Sequence, residues 1–146
     1  MMATKVPNDR GIPQGVAQIK VSKKVKALHP VVKSIAENLA QTGAIQFIRI
    51  LPDFLQASSE ATSGRVRLPI TKPGHPTAVG VSLIIDFTSK EVHFFEITSA
   101  VRGYGGTMVD AVLRALPRGW RAVVVMDWSD GFWERMQQKH TNLDVL

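Results

Sequence analysis

The chain has 146 residues, of which 45% are hydrophobic, and this size and composition are typical of a single globular domain. It contains no cysteine, which excludes a disulfide scaffold, a thiolate metal site and catalysis by a cysteine nucleophile. The formal net charge of +6 favours anionic partners, which range from nucleic acid to the phosphates of a nucleotide-like cofactor.

Residues 1–15 are expected to form a flexible basic leader, because prolines and glycines interrupt every regular pattern there. Residues 16–146 are expected to form one domain. No run approaches the roughly 20 apolar residues of a membrane span, and the leader lacks the apolar core of a signal peptide. We therefore expect a cytoplasmic protein with no membrane partner.

The first half of the domain is predicted to contain a strand, a helix and a second strand, in that order. The apolar pattern predicts a short strand over 16–22, an amphipathic helix from Pro30 that stops at Gly43, and a strand over 44–51. The polar segment 56–64 is expected to be a loop. Residues 65–70 are expected to form a strand, which Pro69 places at the edge of the sheet because proline cannot donate to a central ladder. A turn over 71–76 is expected to follow.

Two alternating segments, 77–87 and 91–97, predict an antiparallel hairpin joined by the turn 88–90. The first strand is expected to place five apolar side chains on one face: Val79, Val81, Leu83, Ile85 and Phe87.

The last third alternates helices and strands. A helix with an apolar stripe is predicted to end at Pro117, and the continuous apolar run 121–128 is expected to pair in parallel with the strand 91–97. A short helix over 131–140 and a final strand within 141–146 complete the domain. The short helix is expected to turn three side chains inward: Phe132, Trp133 and Met136.

The turn Arg102-Gly103-Tyr104-Gly105-Gly106 lies between a predicted strand and a predicted helix. Backbone N–H groups at the positive end of a helix dipole attract phosphate, and glycines let a ligand approach the backbone closely. Arg102 adds charge and Thr107 a hydroxyl. The alternative is that the glycines only form a tight connection. A Rossmann fingerprint would need glycine in place of Met108, and the Walker pattern is missing its Gly-Lys-Ser/Thr end.

The run from Glu91 to Leu116, EVHFFEITSAVRGYGGTMVDAVLRAL, resembles the central motif of the GNAT superfamily of N-acetyltransferases, particularly its histone-acetyltransferase-like branch. The family pattern Gln/Arg-x-x-Gly-x-Gly/Ala falls on residues 100–105. The resemblance implies an α/β (α+β) fold with a mixed, mostly antiparallel central sheet flanked by helices. It also implies a splayed pair of parallel strands at the cofactor site. The implied activity is acetyl-coenzyme A-dependent transfer of an acetyl group to a primary amine of a small molecule or protein.

The resemblance also implies a set of site residues. Those expected at coenzyme A are Ile97, Val101, Arg102, Gly103, Tyr104, Gly105, Gly106, Thr107 and Trp133. Acetyl transfer to an amine needs a base, because only the neutral amine is a nucleophile. Glu91 matches the position of the catalytic glutamate in the histone-type enzymes, and Glu96 lies closer to the acetyl-binding stretch. Strand alternation is expected to put Glu91 and Glu96 on opposite faces, with His93 on the face of Glu91.

Three departures from the family pattern leave other functions open. Ala100 replaces the usual Gln or Arg, Trp133 replaces a tyrosine that protonates the departing thiolate, and only residues 141–146 follow the last helix. A homodimer or the N-terminal segment would then complete the acceptor wall. One alternative is a catalytically inactive GNAT-like interaction or structural module. Another is a basic nucleic-acid-binding protein, although no recognised binding motif accompanies the charge.

Overall fold

The computed structural model describes residues 17–59, 79–99, 103–125 and 131–146. The predicted leader, the predicted edge strand 65–70 and the turn 71–76 lie outside these ranges. The described residues form a mixed α/β fold of seven strands and three helices. In chain order the elements are β1 Gln18–Val21, α1 Pro30–Ala40, β2 Phe47–Leu51, β3 Phe54–Ser58, β4 Val79–Asp86, β5 Glu91–Ser99, α2 Tyr104–Arg114, β6 Arg121–Val124, α3 Phe132–Lys139 and β7 Leu143–Val145.

The seven strands form one mixed sheet, and their order in the sheet is their order along the chain. Strands β2 to β5 are an antiparallel meander. Parallel pairs lie on either side of it, β1 with β2 and then β5 with β6 and β6 with β7. The antiparallel ladders are the longer ones, so antiparallel pairing predominates by length within the described sheet, as expected.

The antiparallel hairpin of β4 and β5 is confirmed. Its turn is held by the side chain of Asp86, whose Oδ1 accepts from the backbone N–H groups of Thr88 at 3.0 Å and Ser89 at 3.1 Å. These hydrogen bonds stabilise the charged carboxylate, so the pKa of Asp86 lies below its usual value, with the bonds from Ser89 as the largest cause.

The expectation of a loop from residue 56 is wrong for residues 56–58, because β3 runs from Phe54 to Ser58. The polar composition of this segment does not predict a strand, but β3 is a central strand that pairs with β2 on one side and β4 on the other. Leu55, Ala57 and Ser58 are fully buried. The neighbouring strands satisfy the backbone groups of this segment, and this tertiary effect outweighs the weak strand preference of serine and glutamine.

Helix α2 contacts α1 and the end of α3, and all three described helices contribute to one apolar cluster. Asn38 Nδ2 in α1 donates to the carbonyl of Ala111 in α2 at 3.0 Å, and Asp110 in α2 pairs with His140 after α3 at 2.6 Å. The helices therefore pack on the same face of the sheet, which we call the helix face. On the central strands it carries the fully buried Ile48, Ile50, Leu55, Val81, Leu83 and Val92.

Local sequence explains where the first helix begins and ends. Pro30 occupies the first turn of α1, and His29 Nδ1 accepts from the N–H of Val31 at 3.1 Å. Gly43, with a φ of 86°, follows its end. None of the helices in the described ranges is long and apolar enough to cross a membrane.

Candidate functional site

The second helix begins at a glycine in the left-handed region. Gly103, the N-cap of α2, has a φ of 95°, a conformation that side chains with a Cβ rarely adopt. The helix itself starts at Tyr104, so Gly105 and Gly106 lie in its first turn and not in the preceding loop, where the sequence had placed them. Val101 and Arg102, two predicted cofactor residues, lie outside the described ranges.

The first N–H groups of α2 have no hydrogen-bond acceptor among the described residues. The N–H groups of Tyr104, Gly105 and Gly106 have no acceptor four residues back in the helix, and no side chain caps them. The first turn also contains no acidic residue to offset the helix dipole. By contrast, His29 caps α1 and Glu134 lies in the first turn of α3. Among the described helices, α2 has the start that is best suited to bind an anion.

The three glycines of this segment have different structural roles. A Cβ on Gly105 would lie 3.4 Å from the ring of Phe132, and one on Gly106 would lie 3.6 Å from the methyl group of Met136. Both distances are ordinary van der Waals contacts, so these two positions lie against α3 and leave room for a methyl group. A Cβ on Gly103 would meet nothing within 4 Å, so the space beside Gly103 is open.

Two further predicted cofactor residues are already engaged within the protein. The hydroxyl of Thr107 donates to the carbonyl of Gly103 at 3.1 Å. Trp133 is 5% exposed, and its ring lies 5.0 Å from the rings of both Phe94 and Phe132. Its packing in the core matches the structural role considered for it, while its contact with a cofactor stays a prediction. Ile97 is half-buried against the core.

Strands β5 and β6 pair over only part of their length. Their parallel register joins Glu91 to Arg121, Val92 to Ala122 and His93 to Val123, and β5 then continues to Ser99 without β6. The half of β5 that β6 does not pair ends at Ser99, four residues before the N-cap of α2. The predicted parallel pairing is confirmed, while the splayed strand pair at a cofactor site stays a prediction.

A β-bulge in β5 changes the face on which Glu96 lies. Ser82 of β4 is opposite Glu96, but the next residue, Leu83, is opposite Phe94, so Phe95 has no partner. Residues directly opposite each other share a face, and this register puts Glu96 on the same face as His93 and Glu91. The expectation of opposite faces is wrong, because strict alternation holds only without a bulge.

Glu91 and His93 form a hydrogen-bonded pair on the face of the sheet opposite the helices, which we call the polar face. Glu91 Oε1 lies 3.0 Å from His93 Nε2, and about a third of each side chain is exposed. Arg121, opposite Glu91 in β6, forms two hydrogen bonds of 2.6 and 2.7 Å to Asp144 of β7. The ion pair lowers the pKa of Asp144 and raises that of Arg121, in each case mainly through these hydrogen bonds.

Glu91 and Glu96 are at different distances from the start of α2. A strand rises about 3.3 Å per residue, so Glu91 lies roughly 26 Å and Glu96 about 10 Å from the end of β5. Glu96 is half-buried and lies next to the bulge. Glu96 is thus a candidate base near the start of α2, whereas Glu91, paired with His93, is a candidate base at the far end of β5.

The described ranges contain no group of three or more His, Asp or Glu side chains that could hold a metal ion. A groove of about 450 Å³ lies between the end of α1 and the outer side of α2, lined by polar residues that include Gln41, Thr107 and Arg114. No periodicity in the sequence had indicated this groove, because its walls come from elements more than sixty residues apart. Comparisons with protein-family models, with curated proteins and with solved structures found no match.

Proposed function

We propose that the protein is a GNAT-like, acetyl-coenzyme A-dependent N-acetyltransferase that acts on a primary amine. The observation that carries the proposal is the start of α2, where the left-handed Gly103 is followed by three N–H groups that have no acceptor among the described residues. Two features would have argued against it, namely protein atoms capping these N–H groups or full pairing of β5 with β6. The described residues show neither feature.

The residues present fit the diphosphate of coenzyme A. Phosphate oxygens accept hydrogen bonds from successive N–H groups, and the charge on phosphate is stabilised at the positive end of a helix. The N–H groups of Tyr104, Gly105 and Gly106 would hold it, and the open space beside Gly103 admits it. Bound acetyl-coenzyme A supplies an acetyl group activated as a thioester.

The protein must also remove a proton from the amine. An ammonium group has no free electron pair, so a base has to take one proton before the nitrogen reacts. Glu96 is the carboxylate nearer to the free N–H groups. Glu91 is the alternative, because its hydrogen bond to His93 orients both groups and lets a proton pass to either of them.

Two measurements test the proposal in sequence. Calorimetric titration with acetyl-coenzyme A should show binding, and an assay over a panel of amines should then show acetylation. Failure to bind would reject the proposal. Binding without turnover would favour the catalytically inactive module. The buried Trp133 also supports that alternative, because it stands where the family has the tyrosine that protonates the departing thiolate.

Conservative substitutions then identify the base. Glu96→Gln and Glu91→Gln each remove a carboxylate and keep the shape, and loss of the base should lower kcat by about 100-fold or more without preventing cofactor binding. Glu37→Gln, on the exposed side of α1, is the matched control. Unchanged kcat in both strand variants would show that neither residue is the base.

The basic residues near β1 favour a second candidate function, nucleic acid binding. Lys20, Lys23, Lys24 and Lys26 are all exposed, and none forms an ion pair with another residue in the described ranges. Salt-dependent retention on DNA together with no response to coenzyme A would support this function instead.

A further inference from the structure

Four polar side chains lie in one line across the polar face of the sheet. The register pairs Arg49 of β2 with Gln56 of β3, Gln56 with Ser82 of β4, and Ser82 with Glu96 of β5. Residues directly opposite each other share a face, so all four lie on the same side as one another. We call this line the polar row. It crosses the sheet at the bulge, which is the feature that turns Glu96 towards it.

In the part of the chain that the structure describes, none of the four side chains forms a side-chain hydrogen bond or ion pair. Arg49, Gln56 and Glu96 are each half-buried. Ser82 is fully buried, and its Oγ has no hydrogen-bond partner among the described residues. A buried hydroxyl without a partner costs free energy, so its presence on a central strand needs an explanation.

The chemistry of the row changes from one end to the other. Glu96 supplies negative charge, Gln56 and Ser82 supply neutral donors and acceptors, and Arg49 supplies positive charge. A molecule that matches this order carries an ammonium group at one end and a carboxylate at the other. The rings of Phe54 and Phe95, with centroids 6.3 Å apart, lie beside the row and offer apolar surface to a linking carbon chain.

We infer that the polar row binds the amine acceptor, and that this acceptor is a primary amine that also carries a carboxylate. The inference rests on the proposed function and deepens it by naming the substrate class. Three interstrand steps separate Arg49 from Glu96, or roughly 14 Å between backbones, and both side chains are long enough to shorten this gap. An acceptor whose two charges are separated by several carbon atoms fits better than one whose charges are on adjacent atoms.

A pair of amines that differ only in the carboxylate tests the inference. γ-Aminobutyrate carries both charges, and n-butylamine carries only the ammonium group. The wild-type protein should acetylate γ-aminobutyrate with a KM about tenfold or more below that for n-butylamine, because a charge-assisted hydrogen bond to Arg49 is lost in the latter. Equal KM values would overturn the inference while leaving the proposed acetyltransferase intact.

Two variants locate the effect in the row. Arg49→Gln should raise the KM for γ-aminobutyrate about tenfold and leave the KM for n-butylamine unchanged. The control Arg118→Gln makes the same change in charge at an exposed residue outside the row, and it should alter neither KM. Ser82→Ala should raise the KM for γ-aminobutyrate while leaving Tm unchanged or higher. A purely structural Ser82 would instead lower Tm and leave KM unchanged, which would contradict its place in the site.

Direct binding separates this inference from the proposed function. Calorimetry of γ-aminobutyrate with the protein, with and without coenzyme A, should show binding that Arg49→Gln weakens and Arg118→Gln preserves. Such binding would support the row even if coenzyme A did not bind and the proposed activity failed. No binding of γ-aminobutyrate under either condition would overturn the inference.

Discussion

Substituting Gly103 by alanine should weaken coenzyme A binding by more than its effect on stability explains. Gly103 has a φ of 95°, and a Cβ there meets nothing within 4 Å, so the substitution creates no clash and its cost in the folded protein is backbone strain. A residue other than glycine in such a conformation costs about 1 to 3 kcal/mol. For a chain of this size that corresponds to a fall in Tm on the order of 5 °C.

Gly119 offers an internal control of nearly the same geometry. Its φ is 93°, and a Cβ there also meets nothing within 4 Å, but it lies before β6 and away from the start of α2. Gly119→Ala should therefore lower Tm by a similar amount. Gly131→Ala, at the left-handed N-cap of α3, controls for the effect of such a substitution at a helix start.

The variants should differ in calorimetric titration with acetyl-coenzyme A. In Gly103→Ala the new methyl group occupies the space proposed for phosphate, and losing one charge-assisted hydrogen bond raises Kd by about tenfold or more. Gly119→Ala and Gly131→Ala should keep the wild-type Kd. If Gly103→Ala lowers Tm as its controls do but keeps the wild-type Kd for acetyl-coenzyme A, the start of α2 is not the phosphate-binding site.

Three other changes test the packing and electrostatics of the fold. Gly106→Ala should raise the free energy of unfolding by up to about 1 kcal/mol, because alanine favours the helix and its Cβ meets only the flexible end of Met136; a fall in Tm would contradict this packing. Leu83→Ala, in a fully buried position of β4, should lower the free energy of unfolding by about 2 to 5 kcal/mol in a urea titration, and a smaller loss would indicate a looser core. Asp144→Asn should destabilise the protein by at most about 1 kcal/mol near pH 7, because its ion pair with Arg121 is exposed. The folded-state pKa of Asp144 is lowered, so the stabilisation by this ion pair is present above about pH 4 and is lost as the pH falls through the lowered pKa. In acid, the wild-type protein and Asp144→Asn should therefore have the same free energy of unfolding.

Most elements could be predicted because their local signals agree with their tertiary environment. The stripe of α1 begins at Pro30 and buries Ile35 and Leu39, and the alternation of β4 buries Val81 and Leu83. In these segments, local periodicity and the position of the core point to the same structure. The last strand, β7, was also predicted correctly from only six residues.

The missed features depend on pairing between distant segments. Strand β3 forms because β2 and β4 lie on both sides of Phe54–Ser58, and its own composition does not indicate this. The bulge at Phe95 is a property of the register with β4, so the shared face of Glu91 and Glu96 was not predictable from alternation. Gly105, expected to give a ligand access, instead lies against Phe132 of a helix more than twenty-five residues away.

The most direct test of the central claim is a backbone NMR titration of the protein with coenzyme A. We expect the amide signals of Tyr104, Gly105 and Gly106 to move most, because their N–H groups have no acceptor among the described residues and would bond to phosphate. A titration in which these signals stay fixed, while those of Lys23 to Lys26 move or no signal moves, would contradict the account.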